Sequence, residues 1–395
     1  MLSAQSPTVT DRLLVGLSRI APAAEDLVRI RGLSPGAVDW NELVGRAVRE
    51  GVSPLVYHSL RSVEASVPPE ALNTLRTRYY GNEIRNSRLY RRIAPLIGAM
   101  DAAGLRAVVT KGARLALTVY PDIGLRPFTD IDLVVHPGDW PGLEKILGGL
   151  GYVPDSRGCI RLHPENRALD WTFAPYYRLG DLLVELHFAY LGLHVPFRSE
   201  ADFWESAGTI RMDGAVARIM SPEYELCYLC LHALQHSYAR LIWLTDIAEL
   251  GSWPEIDRDK LVRIARREGI EAVVRHGLEL VNALWPGTVP KRIVSAFRMG
   301  ALESVLLPAL WAPGKVFRRA SHVPMPYYTP TFFSLVSRRK PLLAARTLLR
   351  ILFPPMDWIA DTYNVTPWSP KAWFQYPRRL GEPLARLLRK KEIET

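Results

Sequence analysis

The stretch VVTKGARLALTVYPDIGLRPFTDIDLVV, residues 108–135, decides how the chain is read. It begins in the β-branched run LRAVVT (105–110), turns at Lys111-Gly112 and continues as a short helix, GARLALTVY (112–120). It closes on DIDLVV (130–135), where acidic and apolar residues alternate as in a strand. Side chains alternate across a strand, so Asp130 and Asp132 project to one face and Ile131 and Leu133 to the other. The apolar neighbours on both sides mark the strand as internal, where paired like charges raise each other's pKa unless a cation sits between them. Hard oxygen ligands held apart from water suit Mg²⁺ or Mn²⁺ bound jointly with substrate phosphates. A solvated edge strand or a helix cap also accommodates such a pair, and D-x-D arises often by chance.

A later run, LLVELHF (182–188), supplies a third acid. By the same alternation Glu185 and His187 share one face, and Val184 and Leu186 the other. If the two strands are neighbours, Glu185 completes a three-carboxylate cluster able to hold two metal ions. His187 is then a partner of the acids or an ordinary strand histidine. Lys111-Gly112 lies where a strand becomes a helix, a place at which backbone N–H groups and a positive helix end favour phosphate. Arg126 can fork a further phosphate oxygen.

Around this stretch the texture changes in blocks. Residues 1–103 read as helical, with DWNELVGRAVREGV (39–52) opening on an acid and ALNTLRTRYYGNEIRNSRLYRRIAPLIGAMDAAG (71–104) closed by Gly104. Residues 104–220 read as an α/β core. In it PGDWPGLEKILGGLGY (137–152) is a helix, RALDWTFA (167–174) and DLLVELHFAYL (181–191) are strands, and YYRLGD (176–181) is the turn between them. Ser221-Pro222 starts a helical region, 221–312, that closes the cleft. Residues 313–395 are rich in Pro, aromatic and basic residues, with HVPMPYYTPTF (322–332) as an irregular linker. The fold class expected is α+β: a small mixed sheet embedded in N- and C-terminal helical regions.

Composition sets outer limits. The chain has 395 residues, 48% of them hydrophobic, enough to bury a substantial core and too apolar for a disordered chain. The net charge of +10 suits phosphorylated substrates, nucleic acid, an anionic surface, or an ordinary basic protein. Three cysteines make no disulfide framework at this length, and the N-terminus lacks a signal-peptide pattern; both point to the cytoplasm. Arginine interrupts the best candidate span, LLAARTLLRILF (342–353), so no transmembrane segment is expected.

In CYLCLHALQHSYARLIWLTDIAEL (227–250), a continuous helix would bring His232, His236, Arg240, Trp243 and Asp246 within an arc of roughly 120°. The stripe reads either as a helix–helix contact or as a substrate-binding wall. On that helix Cys227 and Cys230 point away from the histidines, which argues against zinc. Walker, G-x-G-x-x-G and Ser/His/Asp patterns are lacking.

A strand ending in glycine, a short helix, an h-D-h-D-h strand and a third acid on a later strand together resemble the core of the DNA polymerase β-like nucleotidyltransferase superfamily. More narrowly, KGARLALTVYPDIGLRPFTDIDLVV with VELHF, and LHALQHSYARLIWLTDIAEL after it, resemble a bacterial group of uncharacterised nucleotidyltransferases. The resemblance implies transfer of a nucleoside monophosphate from an NTP, with pyrophosphate released. It implies Asp130, Asp132 and Glu185 as metal ligands and catalytic acids, and Gly112 with Lys111 at the phosphates. Ala113 stands where the superfamily usually has serine. ATP is the expected donor by abundance, and a small molecule or peptide is preferred over nucleic acid as acceptor because no nucleic-acid-binding module accompanies the core. A tailoring transferase of the same fold, moving a phosphoryl or sugar group, and a non-catalytic nucleotide-binding protein are the alternatives.

Overall fold

The computed structural model describes residues 8–32, 36–155, 176–188, 200–311, 349, 353 and 356–378. The N-terminal part is helical: α1 (Val9–Gly16), α2 (Ala24–Arg31), α3 (Trp40–Arg49), α4 (Ser53–Leu60) and the long α5 (Pro69–Ala102). Local chemistry sets their ends. Thr8 and Asp11 form a reciprocal capping box on α1, and Asp39 accepts from the Glu42 N–H to start α3. Gly104, at φ +65°, stops α5 as the sequence pattern predicts.

α5 joins two cores. Its first turns put Leu72, Leu75 and Tyr79 into a mainly helical core that also takes Val108 of β1 and Val134 of β2, whereas Leu89, Ile93, Leu96 and Ile97 pack in the second core with Ile131, Leu133 and Val135 from the other face of the sheet. That sheet begins with β1 (Ala107–Thr110), α6 (Lys111–Thr118), β2 (Ile131–Val135) and α7 (Trp140–Gly149). β3 (Val153–Pro154), β4 (Tyr176–Leu179) and β5 (Leu182–His187) follow. After α8 (Glu200–Glu205) come β6 (Gly208–Met212) and β7 (Ala215–Ile219). The seven strands lie in the order β3-β4-β5-β2-β1-β7-β6. β1 runs antiparallel to β2, while β2 pairs with β5 and β1 with β7 in parallel. The architecture is therefore α+β, a mixed sheet flanked by helices.

Two local readings need correction. YYRL is strand β4 and not turn; the hairpin to β5 turns only at Gly180-Asp181, with Gly180 at φ +60°. The β6–β7 hairpin went unread although its turn, Asp213-Gly214 with φ +47° and +87°, carries the Asp-Gly signal of a two-residue turn. RALDWTFA and HVPMPYYTPTF lie outside the described residues.

The remaining helices are α9 (Pro222–Gln235), α10 (Leu241–Gly251), α11 (Arg258–Glu268), α12 (Glu271–Leu284), α13 (Lys291–Val294), α14 (Ala301–Leu310) and α15 (Met356–Tyr363). The continuous helix expected over 227–250 is broken: Ser237 and Tyr238 adopt φ +55° and +52°, and α9 and α10 are separate elements. Among the described residues no helix is long and apolar enough to cross a membrane.

A buried charge cluster ties α10 to the β2 approach. Arg126 Nε lies 2.8 Å from Asp246 Oδ1 and Nη2 lies 2.5 Å from Oδ2, a bidentate fork, and the Tyr120 hydroxyl donates to the same carboxylate at 2.7 Å. Asp246 is fully buried, so deleting it strands an arginine charge in the interior. Asp246→Ala is expected to lose about 3–5 kcal/mol of stability in urea unfolding, against about 1 kcal/mol for Tyr120→Phe.

Candidate active site

Parallel pairing of β2 and β5 sets Asp132 directly beside Glu185 and Val134 beside His187. Along β5 the residues Leu182, Val184 and Leu186 are buried, whereas Leu183, Glu185 and His187 face the accessible side, as the alternation requires. His187 Nε2 lies 2.9 Å from Asp132 Oδ1 and 3.6 Å from Glu185 Oε1. On the other flank of β5, Tyr176 stands opposite Glu185 and is hydrogen-bonded to it. One oxygen of each acid and a nitrogen of His187 lie within 4.8 Å of one another, a donor set that fits a divalent ion.

Lys111 enters this group from the β1–α6 corner. Its backbone is left-handed, φ +53°, a strain of about 1–3 kcal/mol for a non-glycine residue. Two contacts hold it there. The Lys111 N–H donates to Glu225 Oε1 at 2.9 Å, and the Thr110 hydroxyl donates to the same carboxylate at 2.8 Å. The side chain then reaches Asp132 Oδ1, 2.6 Å from Nζ, with the Tyr228 ring centroid 5.6 Å away.

The electrostatics follow from burial and pairing. Burial would raise the Asp132 pKa, but Lys111 and His187 outweigh it and hold the carboxyl far below its usual range. Burial likewise works against a charged Lys111, and Asp132, Tyr228 and Glu185 reverse the effect, so the ammonium persists well above the ordinary lysine value. At Asp130 the pull of Lys111 is outweighed. Burial and the adjacent Asp132 push it up to about 6. Burial also raises Glu225, and burial with the nearby Lys111 keeps His232 neutral.

Residues 36–286 match the family described as uncharacterised nucleotidyltransferase. The chain belongs to that family. The match spans the whole site, from the helical region through β2 and β5 to α12. A solved structure of an antigenic nucleotidyltransferase-like protein from Paracoccidioides brasiliensis is similar at 18% identity and a TM-score of 0.36, covering 54% of this chain and 95% of that one. No curated protein matches the chain.

Within this family member the residues expected from sequence fall into three groups. Lys111, Asp132, Glu185 and His187 converge. Asp130 precedes the first paired residue of β2 and is not among the three residues whose donor atoms cluster, which are Asp132, Glu185 and His187. Arg126 and Gly112 form the third group, each set in a packed environment. Arg126 is consumed by Asp246, and Gly112 is buried with Phe128 so close that an added Cβ would sit 2.6 Å from Phe128 Cβ. Glu225 fills the α6 N-terminus that was expected to receive phosphate.

The histidine stripe survives the helix break in a different form. His232 lies 4.5 Å from His236 with the rings tilted by 55°, and Trp243 packs at 5.2 Å and 5.1 Å against the two. Tyr228 connects His232 to His187, with ring centroids 6.3 Å apart on each side. Arg240 is exposed, makes no ion pair among the described residues and feels the field of Asp130. Cys227 and Cys230 are buried and form no disulfide; neither joins a metal-ligand group among the described residues, and Cys159 lies outside them.

Three contributors escaped the sequence reading: Glu225, Tyr228 and Tyr176. An acid at 225 within the apolar helix YELCYLCL was the available signal for the first.

Asp130 offers a pH test. Its pKa rises from 3.8 in a free carboxyl to about 6 in the fold, so the folded chain binds more protons than the unfolded one between those values. Stability from this group therefore falls as pH rises through 6. In chelator, the stability of Asp130→Asn relative to wild type is expected to grow from near zero at about pH 4 to about 2 kcal/mol at about pH 7. A pH-independent difference in urea midpoints would refute the assignment.

Proposed function

We propose that this chain is a divalent-ion-dependent nucleotidyltransferase of the DNA polymerase β-like superfamily. In this reading it transfers a nucleoside monophosphate, AMP from ATP, to a hydroxyl or phosphate of a small-molecule or peptide acceptor and releases pyrophosphate. The observation that supports it best is the register that sets Asp132 beside Glu185, with His187 on the same face. Asp132, Glu185 and His187 are the residues that would hold Mg²⁺ or Mn²⁺, which when bound offsets charge on the transferring phosphoryl group and makes an acceptor hydroxyl a better nucleophile. Nucleic acid is not the acceptor in this reading.

The chain's own groups have further roles. Asp130 stands beside the donor set just before β2, placed to accept the proton of an acceptor hydroxyl. Arg240, exposed and in no ion pair among the described residues, takes over the phosphate clamp that sequence assigned to Arg126. His236 and Trp243 form an aromatic face on which a base or an aromatic acceptor can stack. Lys111 neutralises Asp132 and lies within reach of the phosphates.

One observation favours a second reading, a protein that keeps the acids without triphosphate turnover. Glu225 occupies the α6 N-terminus, and Ala113 provides no hydroxyl there. Incubation with Mg²⁺ or Mn²⁺, candidate acceptors and ATP labelled at the α or the γ phosphate separates the readings. Transfer of α label alone, lost on the order of 10³-fold in Asp132→Asn, is the expected result. Transfer of γ label indicates phosphoryl transfer, and retained turnover in the Asp132→Asn chain would remove the proposed site.

A further inference from the structure

The cation among the three metal-ligand side chains belongs to the chain itself. Lys111 Nζ lies 2.6 Å from Asp132 Oδ1, 3.5 Å from His187 Nε2 and 4.0 Å from Glu185 Oε2. These are the same three residues whose donor atoms cluster within 4.8 Å. An ion ligated by them and an ammonium so placed would occupy one volume, and two cations in contact repel strongly in a partly buried site. Without either, Asp132 and Glu185 would face each other across adjacent strands with no counter-charge.

We propose that Lys111 is a resident counter-cation that holds Asp132, Glu185 and His187 in place in the unloaded protein and is displaced by the arriving divalent ion. The inference rests on the metal-dependent reading given above. Displacement needs a flexible arm and somewhere for the charge to go. The four-carbon stem supplies the first. For the second, the Tyr228 face is already 5.6 Å from the amine, and Asp130 lies outside the donor set with no ion pair of its own among the described residues. Phosphates brought by a nucleotide would receive the displaced amine best. Ion loading is then coupled to nucleotide: the ion alone competes with Lys111, whereas ion and triphosphate together satisfy both charges.

The test uses the full-length, nucleotide-free protein and Mn²⁺, with free ion read by electron paramagnetic resonance. Lys111→Met and Lys111→Gln are expected to bind Mn²⁺ at least about tenfold more tightly than wild type, within the usual range of coupling between two sites. Asp132→Asn is expected to lose the binding. Equal or weaker affinity in the Lys111 variants, with binding still lost in Asp132→Asn, overturns the counter-cation while leaving the metal site intact. Undiminished binding in Asp132→Asn overturns the site and the inference together. Should neither lysine variant fold, amine acetylation of wild type followed by peptide mass spectrometry decides the matter. Lys111 is expected to be protected without metal and modified at saturating Mn²⁺, and unchanged protection overturns the proposal.

Discussion

Two carboxylates placed side by side on adjacent strands are tolerable inside a protein only if positive charge stands between them. That constraint organises this molecule. The parallel register of β2 and β5 makes Asp132 and Glu185 neighbours, and Lys111 and His187 supply the donors that make the arrangement stable. Lys111 does so from a left-handed backbone that an interior residue adopts only when its surroundings impose it. The corner is imposed by Glu225, which takes both the Lys111 N–H and the Thr110 hydroxyl. An acid on a helix of the later region thus fixes a lysine of the sheet, which in turn neutralises an acid of the site.

The same logic links the other elements. Arg126 and Asp246 join the approach to β2 with α10, and Tyr120 adds a hydroxyl to the same carboxylate. Tyr228 carries the contact from His187 to the His232, His236 and Trp243 cluster. α5 spans both apolar cores, so the sheet and the helical part share one long element. Polar contacts between the sheet side and α9–α10 include the Glu225 bonds to Thr110 and Lys111 and the Asp246 bonds to Tyr120 and Arg126.

Much of this was legible in the sequence because it depends on period and local chemistry. Alternation in IDLVV and LLVELH predicted which strand side chains share a face, Gly104 marked the end of α5, and Lys111 fell at the strand–helix corner. What was not legible depends on long-range pairing. Arg126 looks like a phosphate fork until Asp246, 120 residues later, claims it. The stripe of His232, His236 and Arg240 assumed one helix, and nothing in Ser237-Tyr238 announces two consecutive left-handed residues without glycine. Asp130 and Asp132 look equivalent in D-x-D, yet only Asp132 lies within the ladder, and the side chain grouped with Asp132 and Glu185 is His187. The β6–β7 hairpin is a different failure, since its Asp-Gly turn was present and unread.

The most direct measurement is anomalous diffraction at the manganese edge from crystals grown with Mn²⁺ and a non-hydrolysable ATP analogue. The account predicts a peak within about 2.2 Å of oxygens from both Asp132 and Glu185, with the Lys111 amine withdrawn from Asp132 toward the phosphates. An ion bound away from Glu185, or a nucleotide seated with Lys111 still clasped to Asp132 and no metal between the strands, would contradict it.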